Sequence, residues 1–322
     1  MTSAREPAVA AALRALVRGA VREAEPLARY TTYRIGGPAT ILAPAVAEDV
    51  GIALRFARER GLAWFALGLG SNLLFPDAGL DALVIRLGRG LDQLAPLPDG
   101  MWRVGAGLPQ PLAARKTSEA GCSGLHRFVG VPGSVGGGVY MNAGCHGGDW
   151  AEVVRSVIVV DNEGTDRVLR AAEIPFAYRS SGLGHRVVLE TTVQLTPADP
   201  ATIQEETAAL FRWRQEGTPF NQPCCGSVFR NPGGPSWDQR AGPRTAGQLI
   251  DAVGLKGARV GGAEISSMHA NYFVNTGGAT AADVRALMRQ ARAAVEQRFG
   301  VRLEPEVKLI SSAGVPMAAE EL

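Results

Sequence analysis

The sequence predicts an α+β protein of two or three domains, and three observations predict it. Between Asp81 and about Thr196 short strand candidates crowd together around a single helix candidate, the segregation of strands from helices that marks an α+β domain. The chain has 322 residues, more than the roughly 250–300 that one hydrophobic core organises. In residues 130–148, eight of nineteen positions are glycine, yet Val131, Val135, Val139 and Met141 are threaded between them. A flexible linker is polar and buries nothing. This segment can bury side chains while leaving backbone N–H groups bare, and successive bare N–H groups form concave nests for anions. It reads as a buried cradle for a phosphate or pyrophosphate, with a set of tight turns between short strands as the alternative.

The elements follow in order. Residues 6–27 carry Ala, Leu and Val at helical spacing with charges between, which predicts one or two N-terminal helices. Ala39–Ala43 reads as a strand, Val46–Glu59 as an amphipathic helix and Ala63–Leu67 as a strand entering the turn Gly68–Asn72, so residues 30–75 form a small β-α-β unit. The strands of the next unit are Ala82–Leu87, Trp102–Gly105, Val153–Asp161, Thr165–Leu169 and Arg186–Leu195, with the helix Leu108–Ala120 among them. Ile203–Glu216 is a strong helix, and Thr218–Pro223 a break before the short strand Gly226–Arg230. Helices Thr245–Val253 and Ala281–Phe299 surround strands near Val260–Ile265 and Tyr272–Asn275. Val301–Ile310 reads as a last strand and Ser311–Leu322 as a frayed end.

Composition excludes several classes of function. Lys and Arg number 33 against 31 Asp and Glu, a formal net charge of +2, so no basic footprint for nucleic acid is present. No apolar run approaches the ~20 residues of a membrane span, and Met1–Arg29 lacks the apolar core of a signal peptide. The cytoplasm is the expected compartment. Cys122, Cys145, Cys224 and Cys225 make no disulfide framework in so long a sequence and lack metal-ligand spacing, so they read as small buried residues and no metal is expected.

Two glycine turns, 68–72 and 130–138, fall in different predicted units, and neither matches the dinucleotide fingerprint G-x-G-x-x-G. With Ser71, Asn72 and Ser134 beside them, they suit a dinucleotide held by backbone and hydroxyl groups. The lack of a Gly-Lys-Ser/Thr run argues against phosphoryl transfer on a P-loop. Ser227, within Gly226-Ser-Val-Phe-Arg-Asn-Pro232, is by itself a nucleophile, an acid or a turn residue. It lacks the strand-turn-helix setting of a nucleophilic serine. Glu306 stands at the start of an apolar strand, where carboxylates are commonly solvated.

Seven blocks in this order carry a resemblance: Thr32-Tyr-Arg-Ile-Gly-Gly37, Gly68-Leu-Gly-Ser-Asn-Leu-Leu74, Gly130-Val-Pro-Gly-Ser-Val-Gly-Gly137 with Tyr140-Met-Asn-Ala-Gly144, Phe176-Ala-Tyr-Arg179, Gly226–Pro232, His269-Ala-Asn-Tyr-Phe-Val-Asn275 and Leu303-Glu-Pro-Glu-Val307. Over about residues 28–310 the sequence resembles the UDP-N-acetylenolpyruvoylglucosamine reductase (UDP-N-acetylmuramate dehydrogenase) family of bacterial peptidoglycan synthesis. The resemblance implies an α+β fold of the vanillyl-alcohol-oxidase (PCMH) flavin type in two subdomains plus a C-terminal α/β substrate domain. Its divisions would be 1–78, 79–200 and 201–300, with the 301–322 tail returning to the first. FAD, held non-covalently, would lie between the first two, with substrate covered by the third.

On that resemblance FAD is held by Tyr33, Arg34, Ile35, Gly36 and Gly37; by Gly68, Gly70, Ser71, Asn72 and Leu73; and by Gly130, Pro132, Gly133, Ser134, Gly137, Asn142 and Gly144. NADPH is the co-substrate, and hydride passes from reduced flavin to the β-carbon of UDP-N-acetylglucosamine enolpyruvate. Carbanion character next to a carboxylate then calls for positive or hydrogen-bonding groups and an acid. Ser227 is implied as the proton donor, with Arg179 and Glu306 as its polar partners. Arg214, Asn231 and Lys256 are implied as substrate contacts. Thr218 stands where the family commonly has glutamine and receives no role. Seven residues separate Arg179 from Val187, so the sequence resembles the shorter type without a substrate-covering tyrosine. His126, His146 and His185 receive no chemistry, and His269 is expected to pack or to bond within a turn. A monomer is the expected state. The competing readings are an FAD-linked sugar or alcohol oxidase of the same fold and a nucleotide-binding module without catalysis.

Overall fold

The computed structural model describes residues 3–232 and 244–322. The protein folds into two compact units of interleaved segments: Met1–Ala24, Thr40–Leu69 and Asp81–Arg214 form the first, and Glu25–Ala39, Gly70–Leu80 and Gln215–Leu322 the second. Each has its own apolar cluster.

In the first unit the helix Pro7–Arg14 starts on a proline and buries Val9, Ala10 and Leu13. The predicted continuation of that helix is instead a strand, Ala20–Pro26. Of its seven residues only Val21 is buried, so it has no apolar stripe to hold a helix against a core. The β-α-β reading of the next segment holds. Strand Pro38–Ala43, helix Glu48–Glu59 and strand Trp64–Leu67 are followed by Leu83–Arg86, which pairs in parallel with both strands. The helix begins over Asp49, whose buried carboxylate accepts from the N–H groups of Ala45 and Arg18, both at 2.8 Å.

The rest of this unit is built on a five-stranded antiparallel sheet in the order Asp166–Arg170, Val154–Val160, Val187–Gln194, Met101–Gly105 and Leu94–Pro96. Against it lies the glycine segment, which forms a short helix, Val135–Tyr140, capped by Ser134 Oγ accepting from Gly137 N–H at 3.4 Å. Trp150, fully buried, stacks on Phe128 with ring centres 4.9 Å apart and donates Nε1–H to Gln110 Oε1 at 2.8 Å.

The second unit centres on a four-stranded antiparallel sheet in the order Cys224–Ser227, Tyr272–Asn275, Ala263–Ile265 and Arg259–Val260. Helices Ala246–Ala252 and Ala281–Phe299 supply Leu249, Ile250, Val284, Leu287, Met288 and Val295 to its core. Both open with capping boxes, Thr245 with Gln248 and Thr280 with Asp283, which satisfy backbone N–H groups that a helix leaves orphaned.

Two expectations at the C-terminal end change. The long strand over 301–310 shrinks to a parallel pairing of Lys308–Leu309 with Leu73–Leu74 and a bridge between Pro305 and Phe229. Pro305 has no N–H to give a ladder. The tail is not frayed. Met317 N–H bonds Leu309 C=O at 2.8 Å, and the guanidinium groups of Arg285 and Arg292 bond the carbonyls of Glu321 and Ala319 at 2.7 and 2.9 Å.

Candidate active site

The first unit brings several of the expected cofactor residues together. A Cβ at Gly68 would collide with Ser134 Oγ, so the two glycine turns singled out by the sequence meet at that point. Gly136 lies against Ala106, Gly138 against Gln110 and Trp150, and Gly130 under the aliphatic stem of Arg214. These glycines are required by close approach of the protein to itself. Gly137 differs, because a Cβ there would meet only Ser134 Oγ at an ordinary 3.5 Å. The face of the cradle that the protein leaves uncovered therefore lies at Gly137. Gly133 C=O accepts from Gln110 N–H at 2.9 Å, which ties Pro132–Ser134 to the helix Gln110–Glu119.

Asn142 is buried at positive φ (44°), and its side chain is engaged inside the fold. Its Nδ2 donates to Asp149 Oδ2 and Ala177 C=O at 3.0 and 3.1 Å, and its Oδ1 accepts from Ala151 N–H at 3.0 Å. Any cofactor contact at this position is through the backbone. The Ala177 bond also anchors the turn that carries Arg179, in which Ala177 and Ser180 exchange backbone bonds at 2.8 and 3.0 Å. Arg179 sits at φ 57°, a conformation uncommon for a side chain with a Cβ and enriched at functional sites. Its guanidinium lies 4.8 Å from the Tyr178 ring centre and donates to Gly144 C=O at 3.4 Å.

Next to Gly144, burial raises the Cys145 thiol above its ordinary value, while Arg214 and Arg179 oppose the shift. Burial, reinforced by Arg214, lowers the His146 imidazole below its ordinary value, and its ring stands edge-on to Trp213 at 5.1 Å.

In the second unit Tyr33 and Ile35 are core residues, 0% and 2% exposed, so these two can offer a cofactor only backbone, while the Arg34 side chain between them is exposed. Gly36 and Gly37 accept from the N–H groups of Ala28 and Leu27 at 3.0 and 2.9 Å, and Arg34 takes φ 56°. Tyr33 C=O accepts from Asn275 Nδ2 at 3.0 Å. Burial, reinforced by the thiols of Cys225 and Cys224, holds the Tyr33 phenol well above its ordinary value, and burial does the same to Cys225. Gly70 C=O accepts from Thr32 N–H at 3.2 Å, and Ser71 leads into Asn72 and the paired Leu73.

Ser227 and Glu306 are brought together through one residue. Val228 C=O accepts from Glu306 N–H at 2.8 Å, and Arg230 N–H donates to Glu304 C=O at 2.9 Å. On the other edge, Asn72 Nδ2 donates to Glu306 C=O at 3.2 Å, and Lys308 N–H donates to Asn72 C=O at 3.0 Å. Burial and the nearby Arg230 lower the Lys308 ammonium below its ordinary value, opposed by Glu306. Asn231 Oδ1 accepts from Ala246 N–H at 3.1 Å, at the start of a helix. Lys256 pairs with Asp251 at 2.9 Å, and among the described residues it makes no hydrogen bond to Ser227 or Asn231. His269 Nδ1 accepts from Asn271 N–H at 3.1 Å, the turn bonding expected of it. The amides Asn271 and Asn275 were given no role by the sequence; the only signal was their place in the His269–Asn275 block.

Among the described residues no helix is long and apolar enough to cross a membrane, and no three His, Cys, Asp or Glu side chains gather as a metal set. None of the four cysteines is in a disulfide.

A family model for the FAD binding domain matches residues 38–170, and one for the UDP-N-acetylenolpyruvoylglucosamine reductase C-terminal domain matches 218–310. The protein is 41% identical over 301 residues to the UDP-N-acetylenolpyruvoylglucosamine reductase of Halalkalibacterium halodurans, a match spanning 92% of this protein and 97% of that relative. To the reductase 2 of Symbiobacterium thermophilum it is 43% identical over 302 residues, spanning 92% and 95%. The crystal structure of the corresponding reductase from Thermus caldophilus superimposes with a TM-score of 0.76 at 35% identity, over 90% of this protein and 99% of that one. An FAD binding domain is thus followed by the reductase's C-terminal domain, and the protein belongs to the UDP-N-acetylenolpyruvoylglucosamine reductase family.

Proposed function

We propose that this protein reduces UDP-N-acetylglucosamine enolpyruvate to UDP-N-acetylmuramate at the expense of NADPH, with Ser227 as proton donor and Arg179 and Glu306 as its polar partners. The first unit fits FAD: two glycine turns meet where a Cβ at Gly68 would strike Ser134 Oγ, and a Cβ at Gly137 would meet only that same oxygen at 3.5 Å, so the backbone there is open to the close approach a cofactor's pyrophosphate needs. FAD held there would supply two-electron hydride-transfer chemistry between NADPH and the substrate's β-carbon. The α+β sheet architecture of that unit supports assigning it to the vanillyl-alcohol-oxidase flavin type.

The remaining steps belong to the protein's own residues. Hydride addition at the β-carbon leaves an electron pair on the α-carbon, delocalised into the adjacent carboxylate. Arg179, a fixed cation on a strained turn, stabilises that charge. Ser227 gives its hydroxyl proton to the α-carbon, completing the C–H bond and the two-electron reduction. A serine hydroxyl is a weak acid, so its proton must be relayed or replaced; Glu306 takes that part. Arg214 and Asn231 are assigned to the nucleotide end of the substrate, Lys256 with them if its bond to Asp251 opens. Nucleotide substrate and NADPH together place the work in the cytoplasm.

The observation that carries the assignment is the tie between Ser227 and Glu306, one residue and one 2.8 Å hydrogen bond apart. Removing a positioned acid slows a proton-transfer step by about 10²–10⁴-fold. Ser227→Ala is therefore expected to slow reoxidation of the reduced protein by enolpyruvyl substrate to that extent, while NADPH reduces it at nearly the original rate. Stopped-flow absorbance of the flavin separates the two half-reactions. An equal fall in both would make Ser227 a binding or folding residue.

A further inference from the structure

The geometry points to Asn271 as a positioning residue that acts through Ser227, its side-chain amide fixing the strand on which the proton donor is carried. The inference rests on the reading of Ser227 as that donor.

The ladder beneath Ser227 is irregular. Cys224 pairs with Val274 and Ser227 with Tyr272, with a register shift between them at Gly226, whose φ is 79°. A strand that slips its register offers few backbone bonds to hold the next side chain in place. One residue beyond Tyr272 the partner strand has already turned away, since Tyr272 N–H bonds back to His269 C=O at 2.9 Å. From that turn Asn271 takes over the pairing. Its backbone carbonyl accepts from Val228 N–H at 2.8 Å. Its Oδ1 accepts from Phe229 N–H at 2.9 Å, and its Nδ2 donates to Phe229 C=O at 2.8 Å.

The side chain thus substitutes for a missing strand residue, bonding both backbone groups of Phe229. Donor faces acceptor at both ends, so only one orientation of the amide satisfies the pair. Asn271 is 2% exposed, and water has little access to replace either bond. Val228, gripped on this edge, is the same residue whose C=O holds Glu306 N–H on the other. Asn271 therefore sets where Ser227 stands relative to Glu306. Reaction geometry is sensitive to such placement: a shift of about 1 Å can cost on the order of 10²-fold.

The test uses the FAD-loaded protein and four forms: wild type, Asn271→Ala, Ser227→Ala and the double variant. Asn271→Ala is expected to slow substrate-driven reoxidation by about 10- to 100-fold. NADPH-driven reduction and the flavin absorbance spectrum should stay unchanged. Once Ser227 is gone, Asn271→Ala should change the reoxidation rate by less than about twofold, because a residue acting through Ser227 has nothing left to position. Multiplying of the two effects, or a parallel fall of both half-reactions, would overturn the inference. So would unchanged reoxidation in Asn271→Ala when Ser227→Ala is slow. If Ser227→Ala reoxidises normally, the donor assignment itself fails. Should Asn271→Ala not fold, Asn271→Asp serves in its place: it keeps the shape and the acceptor for Phe229 N–H, loses the donor, and is expected to give an intermediate rate with the same non-additivity.

Discussion

The glycine segment 130–144 is shaped by side chains that are missing, whereas the stretch around Ser227 is shaped by one that is present. In the first, Gly130, Gly136 and Gly138 let Arg214, Ala106 and Trp150 press onto the backbone, while Gly137 beside them is left with room. In the second, the Asn271 amide completes a ladder that the backbone abandons. Under the roles proposed for them, the difference follows from what each region would present. A cofactor cradle offers backbone donors, which are exposed by removing side chains. A proton donor is a side chain, and it is aimed by adding hydrogen bonds behind it.

The contrast can be broken most forcefully at Trp150, which closes the back of the glycine segment. Trp150→Ala removes the stack on Phe128 and the bond to Gln110 and is expected to cost about 3–5 kcal/mol in denaturant unfolding. A cost near zero would mean the segment does not depend on close packing. Gly136→Ala comes next: its Cβ would stand 2.7 Å from the Cβ of Ala106 and 3.2 Å from its carbonyl oxygen. Such overpacking costs about 1–3 kcal/mol.

The second unit has a sensitivity of another kind, carried by the buried Cys225 and Tyr33. Both acids are raised by burial from ordinary values of 9.0 and 10.0. The unfolded state releases these protons first, so their contribution to stability is whole below about pH 9 and declines as pH rises from there toward the folded-state values. Thermal melts from pH 8 to 11 should show that decline, flattened in Cys225→Ala and further in Cys225→Ala with Tyr33→Phe. An unaltered slope in the double variant would assign the alkaline lability elsewhere.

Smaller still is Lys256→Ala, which removes a half-exposed pair with Asp251 and should cost no more than about 1 kcal/mol; a rise in substrate KM would bring Lys256 into the binding set. Gly137→Ala should change stability least, within about 0.5 kcal/mol, yet weaken FAD retention through gel filtration. Normal FAD content in that variant would place the cofactor's approach away from Gly137 and erase the contrast with Gly136.

Much of the fold was legible because local patterns agreed with the tertiary structure. The helix Ala281–Phe299 and strand Tyr272–Asn275 fall where apolar spacing puts them, and both bury the face that the spacing marks. The strand Ala20–Pro26 was not legible, because Ala, Val and Glu at helical spacing carry no sign that only Val21 will find a core. Nor was the tail: the carbonyls of Ala319 and Glu321 attract Arg292 and Arg285 only once those side chains line one helix face. The candidate site divides the same way. Gly68, Ser134, Ser227 and Glu306 stand out by composition or motif. The internal use of the Asn142 amide and the burial of the Tyr33 ring do not, since a polar or aromatic side chain reads alike in sequence whether it faces a ligand or the core.

By itself the sequence determined the residue types and their order: glycines where backbone must lie close, a serine and a glutamate in matching blocks, and enough apolar periodicity for the main helices and strands. Those are local properties, set by side-chain size, backbone freedom and hydrophobic spacing. Only the tertiary structure decided that the units interleave, that Gly68 meets Ser134, and that Asn271, 44 positions beyond Ser227, bonds the strand carrying it. Hydrogen bonds between residues so far apart depend on which strands come to lie side by side, and no short-range pattern in the sequence encodes that.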